Sequence, residues 1–421
     1  MINFVKIKYL NNKETIHNFF WRGLQTFSKQ GITFLIFIIC AKLLSPYQFG
    51  VYNYILAVVF FLIIFGDFGI STATSKYVAE YNISNKEKLK LILFNSLLII
   101  FSLSTVMIVL TLLFGKNFLG DNYVYALYTL PLLFLIPITS LYDGVYRGLK
   151  EFKKLALIST VIGIFSIPLV FILMQKFGLI GALISQNLFY LFLFISLSLE
   201  HKNFSFKLDT KLIKEISKYS ILVGLANVGY FLYTRVDIII LGQFGFIEEI
   251  GYYEIINKIF QILILPVMIL ATVVAPNSTK NIVFKKYDYM RKKLLKNSFS
   301  LFLAGIFVAF FCYLTLPFVF KIFLSEYDPS LLVKILSLML ILFPFKVVST
   351  YLNIGFITPS GLVKILTMST LLLGIVNIFL DYYLIYHFGF IGVIYATLIV
   401  QFIFVAVNFI YFKKIIKKIE I

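Results

Sequence analysis

Long apolar runs closed by short polar connectors recur twelve times along the chain. They fall at 22–44, 47–72, 91–114, 124–148, 155–175, 179–199, 218–242, 250–275, 297–320, 330–356, 363–386 and 390–412. Each run is apolar around most of its circumference, which excludes both the alternation of a half-buried strand and the single stripe of a surface helix. At 1.5 Å per helical residue each is long enough to cross a hydrocarbon layer of about 30 Å. The pattern predicts an all-α polytopic membrane protein with twelve transmembrane helices. Pro131, Pro137, Pro168, Pro266, Pro317 and Pro344 lie inside the runs, where each removes a backbone hydrogen bond and kinks its helix.

The basic residues between the runs keep to alternate gaps. One side takes Lys6, Lys8, Lys13 and Arg22; Lys76, Lys86, Lys88 and Lys90; Arg147, Lys150, Lys153 and Lys154; and Lys202, Lys207, Lys211, Lys214 and Lys218. The same side continues with Lys280, Lys285, Lys286, Arg291, Lys292, Lys293 and Lys296, then Lys364 and the tail Lys413, Lys414, Lys417 and Lys418. The opposite gaps hold only Lys42, Lys116, Lys176 and Lys321. Positive charge stays on the cytoplasmic face, so both termini are expected in the cytoplasm. Residues 1–20 carry Asn11, Asn12, Lys13, Glu14, His17 and Asn18 where a signal peptide needs an apolar core, so the first run is expected to remain as an anchor.

Composition agrees with a membrane protein: 60% of the 421 residues are hydrophobic, 14% are charged and the mean hydropathy is +0.95, values outside the range of soluble domains. The formal charge of +19 does not indicate nucleic acid, because the cations are divided among short connectors with no stacking platform. Anionic lipid headgroups are the expected partners of that charge. Cys40 and Cys312 form no disulfide framework or metal-ligand spacing, and His17, His201 and His387 are too dispersed to ligate a metal together. No Gly-x-x-x-x-Gly-Lys-Ser/Thr loop occurs, so nucleotide hydrolysis is not expected, nor is any cofactor or catalytic residue. Sequons at Asn82, Asn203 and Asn277 fall on the cytoplasmic side and are read as chance.

An internal repeat divides the chain. Phe177-Gly178-Leu179-Ile180-Gly181-Ala182 opens the sixth run and Phe388-Gly389-Phe390-Ile391-Gly392-Val393 opens the twelfth, 211 residues apart. Upstream, Phe49-Gly50-Val51-Tyr52 matches Ile250-Gly251-Tyr252-Tyr253 at a distance of 201. Six runs per repeat make it parallel, related by an axis along the membrane normal. The basic connector at 200–217 is the candidate linker, giving an N-terminal lobe 1–205 and a C-terminal lobe 206–421.

Ionisable residues within a bilayer cost roughly 2.5–3.5 kcal/mol each at a helix centre and mark functional positions. Arg22, Gln25, Thr26, Lys29 and Thr33 share one face of the first run, and Asn53, Asp67 and Ser71 one face of the second. Asn227, Tyr230, Thr234 and Asp237 form a stripe on the seventh run, with Arg235 at its edge; Glu254, Asn257, Lys258 and Gln261 form one on the eighth. Lys346, Ser349, Thr350 and Asn353 share a face of the tenth. Equivalent helices of the two halves thus carry polar stripes, as expected if both line one central cavity. Glu254 with Lys258 and Asp143 with Arg147 stand four apart and also fit plain charge neutralisation; Arg22 also fits snorkelling to headgroups.

The segment Leu43-Leu44-Ser45-Pro46-Tyr47-Gln48-Phe49-Gly50-Val51-Tyr52, then Gly66-Asp67-Phe68-Gly69-Ile70 and Lys76-Tyr77-Val78-Ala79-Glu80-Tyr81, resembles the start of bacterial polysaccharide-repeat flippases. These are O-antigen and capsule transporters of the multidrug/oligosaccharidyl-lipid/polysaccharide exporter (MOP) superfamily. The resemblance extends over the whole chain in span count and repeat, and implies two MATE-like six-helix lobes. It implies a flippase, not an enzyme, that moves an undecaprenyl-diphosphate-linked oligosaccharide to the outer leaflet of the cell membrane by alternating access. The implied energy source is an ion gradient, H+ or Na+, or the membrane potential, and the implied partner is the polysaccharide polymerase machinery.

On that reading Arg22, Lys29, Arg235, Lys258 and Lys346 are expected to bind the diphosphate, and Gln25, Asn227, Asn257 and Gln261 the sugar. Asp67, Asp237 and Glu254 are the candidate ion-coupling groups. The alternative on the same fold is an ion-coupled drug or organic-cation exporter. A peptidoglycan-precursor flippase usually has fourteen spans, and a polymerase would be expected to have a larger outer domain.

Overall fold

The computed structural model describes residues 2–200, 205–284 and 287–417, and among them there are only helices and turns. Side chains of residues 2–20, 22, 287–289, 291, 363, 412 and 414–417 lie outside the described set. The calls on Lys202, Asn203, Lys285, Lys286 and Lys418 therefore fall on residues not described, as does the side chain of Arg22.

The helices in chain order are α1 (Ile2–Leu43), α2 (Pro46–Asp67), α3 (Ile70–Ser84), α4 (Lys86–Leu119), α5 (Tyr123–Leu127), α6 (Leu132–Gly148), α7 (Phe152–Ser198) and α8 (Thr210–Thr234). They continue as α9 (Val236–Gln243), α10 (Ile247–Val283), α11 (Tyr287–Phe323), α12 (Pro329–Leu340), α13 (Phe343–Leu352), α14 (Val363–Phe388) and α15 (Ile391–Lys417). Among the described residues eight helical segments are long and apolar enough to cross a membrane, or up to ten when each bent pair, α8 with α9 and α12 with α13, counts as one span. Two more complete the expected twelve. The 47-residue α7 reverses direction at Gly178, and the 17-residue α6, with Pro137 inside it, stands as a span of its own.

The repeated Phe-Gly-x-Ile-Gly motif explains that reversal. Gly178 has φ 54° and ψ −128°, and Gly389 has φ 61° and ψ −149°, a region that a Cβ disfavours. Three residues on, a Cβ on Gly181 would lie 2.1 Å from the Leu173 carbonyl oxygen, and one on Gly392 would lie 2.2 Å from that of Leu384. The first glycine makes the turn, and the second lets the returning helix touch the outgoing one. One sequence motif therefore builds the same helical hairpin twice.

The chain forms two compact units: Met1–Leu44 with Ile55–Asn227, and Ser45–Tyr54 with Val228–Ile421. The division falls inside α8, later than the connector at 205/206 taken from the sequence, and gives the first turns of α2 to the second unit. The reason is packing. The connector is tied down in the first unit, where Ser205 N–H donates to the Lys90 carbonyl (2.9 Å) and buried Asn95 clasps the Lys207 carbonyl (3.0 Å) and the Asp209 N–H (2.9 Å). The first turns of α8 stay in the same unit, with Tyr81 donating to the Glu215 carboxylate at 2.8 Å and Lys76 over the Tyr219 ring at 4.4 Å.

In the second unit the start of α2 packs on the start of α10 through the other repeated motif. A Cβ on Gly50 would meet the Ile247 carbonyl oxygen at 1.8 Å, and one on Gly251 would meet that of Pro46 at 2.9 Å. Shifting residue numbers by 201 turns one contact into the other, the reciprocity of a two-fold contact.

The outward surface is that of a protein solvated by hydrocarbon. Phe165, Phe307, Phe318, Ile322 and Phe379 are each about 70% exposed, while Asn95, Asn408, Thr74 and Asp381 are fully buried. Such an array of large exposed apolar side chains on a monomer marks a membrane-facing surface.

Candidate functional site

In the first unit, α1 and α6 bring the polar face of the first span to an acid. Gln25 donates from Nε2 to Asp143 Oδ1 at 3.2 Å, and Arg147 Nε lies 2.9 Å from Asp143 Oδ2. The pair Asp143–Arg147 read from i,i+4 spacing is thus formed, and Gln25 is engaged by it. Lys29 is exposed and, among the described residues, makes no ion pair; Thr33 caps the Lys29 carbonyl at 2.7 Å instead.

Asp67 ends α2, where Phe68 and Gly69 both take positive φ. Its Oδ1 accepts the Ser71 N–H at 3.0 Å and also the Ser71 hydroxyl. This holds the first turn of α3, whose free N–H groups need acceptors. The shared face of Asp67 and Ser71 therefore arises across a helix break, not along a continuous helix. Asn53, expected on that face, belongs to the second unit and bonds the Phe49 carbonyl at 2.8 Å.

In the second unit the seventh span is broken. α8 stops at Thr234, Arg235 has φ −144° and ψ −11°, and α9 departs at 55°. The stripe Asn227, Tyr230, Thr234 and Asp237 expected on one straight helix is accordingly split. Asn227 and Tyr230 are exposed on α8, Thr234 turns back to the Tyr230 carbonyl (2.7 Å), and Asp237 is buried in the first turn of α9.

The break projects Arg235 toward α10. Arg235 Nη1 donates to Glu254 Oε2 at 2.9 Å, and Asn257 Nδ2 reaches Glu254 Oε1 at 3.3 Å. Glu254 is paired with Arg235 at the break between α8 and α9, a partner that sequence spacing did not offer. Lys258 still lies within the field of both Arg235 and Glu254. Gln261, two turns along from Glu254, is exposed.

Behind this pair lies a second acid. Asp237 accepts the Ile238 N–H at 3.0 Å and the Tyr253 hydroxyl, and that hydroxyl lies 3.1 Å from Thr397 Oγ1 on α15. Asp381 on α14, not among the residues singled out from the sequence, is fully buried, lies in the field of Asp237 and itself acts on Tyr253. An aspartate inside an apolar span, one turn from Asn377, was the available signal.

Lys346 lies apart, on α13, just beyond the 47° bend between α12 and α13. Among the described residues no carboxylate pairs with it. Its neighbour on the same face, Ser349, accepts a bond from Asn408 at 2.6 Å. Among the described residues no group of three or more His, Cys, Asp or Glu side chains is placed to hold a metal.

Such a fold, all-helical and polytopic with broken seventh and tenth spans, is the fold of MOP-superfamily transporters. The chain aligns with a MATE-family multidrug resistance transporter in its inward-facing conformation at a TM-score of 0.78 and 18% identity, covering 93% of this chain and 95% of that one. It aligns with the lipid II flippase MurJ at a TM-score of 0.74 and 19% identity, covering 96% and 89%. A MOP-superfamily transporter from Pyrococcus furiosus, described as having a binding pocket of reversed polarity, aligns at 0.64 and 16%, covering 97% and 96%.

The model of the polysaccharide biosynthesis protein family matches residues 15–282, and the chain belongs to that family. It is also 30% identical over 253 residues to the uncharacterized membrane protein MJ1375 of Methanocaldococcus jannaschii, a match covering 54% of this chain and 60% of the relative's length.

Proposed function

We propose that the protein is a flippase that moves an oligosaccharide linked to a prenyl diphosphate, undecaprenyl in bacteria, from the cytoplasmic to the outer leaflet of the cell membrane. Both termini are cytoplasmic, movement is by alternating access driven by an ion gradient or the membrane potential, and the unit is delivered to the polymerase machinery. The carrying observation is a pair of intramembrane lysines, Lys29 and Lys346, that no carboxylate neutralises among the described residues. An unpaired cation in a membrane span is costly and is retained where an anion arrives to meet it. A diphosphate supplies that anion, while the prenyl chain stays in lipid.

Arg235 has donors left after meeting Glu254, and with Lys258 it adds to the phosphate-binding set; Arg22 is assigned to the same set from its place on α1. The exposed Asn227 and Gln261 serve the sugar. Gln25 and Asn257, engaged by Asp143 and Glu254, serve it after exchanging those partners. Membership of the polysaccharide biosynthesis family supports the same substrate class.

An organic-cation exporter needs reachable acids. Asp237, Glu254 and Asp381 are 3%, 4% and 0% exposed, closed to a bulky cation, and the more exposed Asp143 is already neutralised by Arg147, so the flippase reading is preferred.

The test is reconstitution with a lipid-linked oligosaccharide whose outer-leaflet copies are destroyed by an added glycosidase. Wild type exposes the protected pool. Lys346→Ala and Lys29→Ala each slow exposure by roughly ten- to a hundredfold, the loss of one charge-assisted bond of about 1.5–3 kcal/mol. Unchanged rates in both variants would remove the phosphate role, and dye efflux in place of sugar movement would favour the exporter.

A further inference from the structure

Asn95 is a fully buried amide inside the third apolar run, and it holds a segment distant in the chain. Its Nδ2 donates to the Lys207 carbonyl at 3.0 Å as well as to the Leu91 carbonyl of its own helix at 2.8 Å, and its Oδ1 accepts the Asp209 N–H at 2.9 Å. The Ser205 N–H adds a bond to the Lys90 carbonyl at 2.9 Å. Residues 205–209, the non-helical lead into α8, are thereby fastened to the start of α4. An amide buried in an apolar helix is unfavourable unless its bonds are made, so this placement is part of the fold and not a slack tether.

The fastened segment presents apolar side chains outward. Phe206 and Leu208 are 77% and 58% exposed, and Ile83, in the last turn of α3 just before α4, is 90% exposed. The rings of Phe206 and Phe94 meet edge to face with centroids 5.4 Å apart, and Phe94 lies about one turn inside the third apolar run. The segment therefore sits where the hydrocarbon begins, and side chains of this kind are solvated there by lipid. Cations surround it. Lys86 and Lys90 stand about one turn apart on α4, Lys207 lies between the two apolar residues and Lys211 is in the first turn of α8; all four are exposed and, among the described residues, none is in an ion pair. Of the nearby acids, Asp209 caps α8 by accepting the Lys211 and Leu212 N–H groups, both at 3.0 Å, and Glu215 accepts the Tyr81 hydroxyl. Glu80 and Glu87 are the acids left exposed, so positive charge is in surplus.

We propose that Ile83, Lys86, Lys90, Phe206, Lys207 and Leu208 form a binding site for an anionic phospholipid of the bilayer. The lysines meet the phosphate, and the three apolar side chains lie along the acyl chains. A zwitterionic headgroup brings its own ammonium, which the lysines repel, so a net negative headgroup is the fit. The occupant is a lipid of the surrounding membrane and not the transported one, and the site rests on the membrane class alone, apart from the flippase reading. Residues 205–209 lead directly into α8, and α8 ends at the break beside Arg235, so a seated lipid fixes the near end of that helix to the first unit. Anionic lipid content thereby controls how firmly α8 is held.

The experiment places a fluorescent reporter in the segment. The chain has one tryptophan, Trp21, so Trp21→Phe with Phe206→Trp leaves a reporter at position 206 alone. The full-length protein is reconstituted, without any lipid-linked sugar, in phosphatidylcholine vesicles carrying a minor fraction of either phosphatidylglycerol or phosphatidylcholine with brominated acyl chains. Both brominated lipids are expected to quench, the phosphatidylglycerol more strongly, with a relative affinity about fivefold higher for each lysine engaged. Lys90→Gln with Lys207→Gln is expected to bring the two lipids level while both still quench. Lys280→Gln with Lys364→Gln, lysines of the second unit, is expected to leave the preference intact. If Phe206→Trp is not monodisperse, Leu208→Trp in the same background reads the same face. Absence of quenching by either lipid would place the segment in water and overturn the site. Equal quenching by the two lipids in the chain with its native lysines overturns it as well. So does a loss of preference in Lys280→Gln with Lys364→Gln that equals the loss in Lys90→Gln with Lys207→Gln, the mark of a diffuse field and not a site.

Discussion

The pair Arg235–Glu254 separates a cross-helix role from simple neutralisation. The contact is 2.9 Å, with the glutamate side chain 6% exposed and the arginine 33% exposed. Fully exposed pairs contribute about 0.2–1 kcal/mol, and breaking a fully buried pair costs about 3–5 kcal/mol because the remaining charge is stranded. With one partner buried and the other a third exposed, the coupling should fall between these limits, at about 1.5–3 kcal/mol. The perturbation is a double-mutant cycle of Arg235→Gln and Glu254→Gln, read by reversible unfolding in mixed micelles. Arg147→Gln with Asp143→Asn provides the internal comparison. That pair is also 2.9 Å apart, but 31% exposed on both sides and within one helix, so about 0.5 kcal/mol is expected. Glu254→Gln and Asp143→Asn keep side-chain size, and the cycle cancels the packing that each Arg→Gln change loses by itself, so what remains is the interaction within the pair. A coupling for Arg235–Glu254 no larger than for Asp143–Arg147 refutes the claim that the helix break is held through this pair.

The repeat contact predicts that Gly50→Ala and Gly251→Ala both destabilise, Gly50→Ala the more, since its Cβ would meet backbone at 1.8 Å against 2.9 Å; thermal unfolding in detergent should show costs of about 1–3 kcal/mol. Gly178→Ala and Gly389→Ala place a Cβ at φ 54° and 61° and should each cost about 1 kcal/mol or more by the same assay. Outside the membrane-spanning helices, Asp328 caps α12 by accepting the Ser330 hydroxyl and N–H, both at 2.8 Å, and these bonds hold its carboxyl below the usual carboxylate range. Its contribution is therefore present above the unfolded-state value near 4 and is lost as pH falls through the depressed folded value. Asp328→Ala should lower the unfolding temperature at pH 7, and the difference from wild type should shrink on acidification; a difference that grows as pH falls contradicts the cap.

The helical hairpins and the two-fold contact were legible in sequence because glycine at a turn or a close approach leaves a local signature, and the same motif appears twice. The membrane class was legible because hydrocarbon tolerates little polar surface. Partner choice was not. Glu254 stands four residues from Lys258, yet the break at Arg235 brings that residue's guanidinium to it, and no local pattern encodes that angle. The break likewise separates Asp237 from the face shared by Asn227 and Tyr230. Asp381 gains its meaning only from Asp237, distant in the chain, so a lone acid in an apolar run carried too little signal. Asp67 shows the converse: its polar face is real, but its carboxylate is engaged at the first turn of α3.

The central claim is that this chain carries a lipid-linked oligosaccharide across the membrane, and leaflet-resolved labelling of that lipid tests it most directly. The measurement is made in cells lacking the gene and any redundant flippase, complemented by wild type or by Lys346→Ala. Inner-leaflet accumulation cleared by wild type and poorly by Lys346→Ala is the predicted result. A leaflet distribution that deletion leaves unchanged would contradict it.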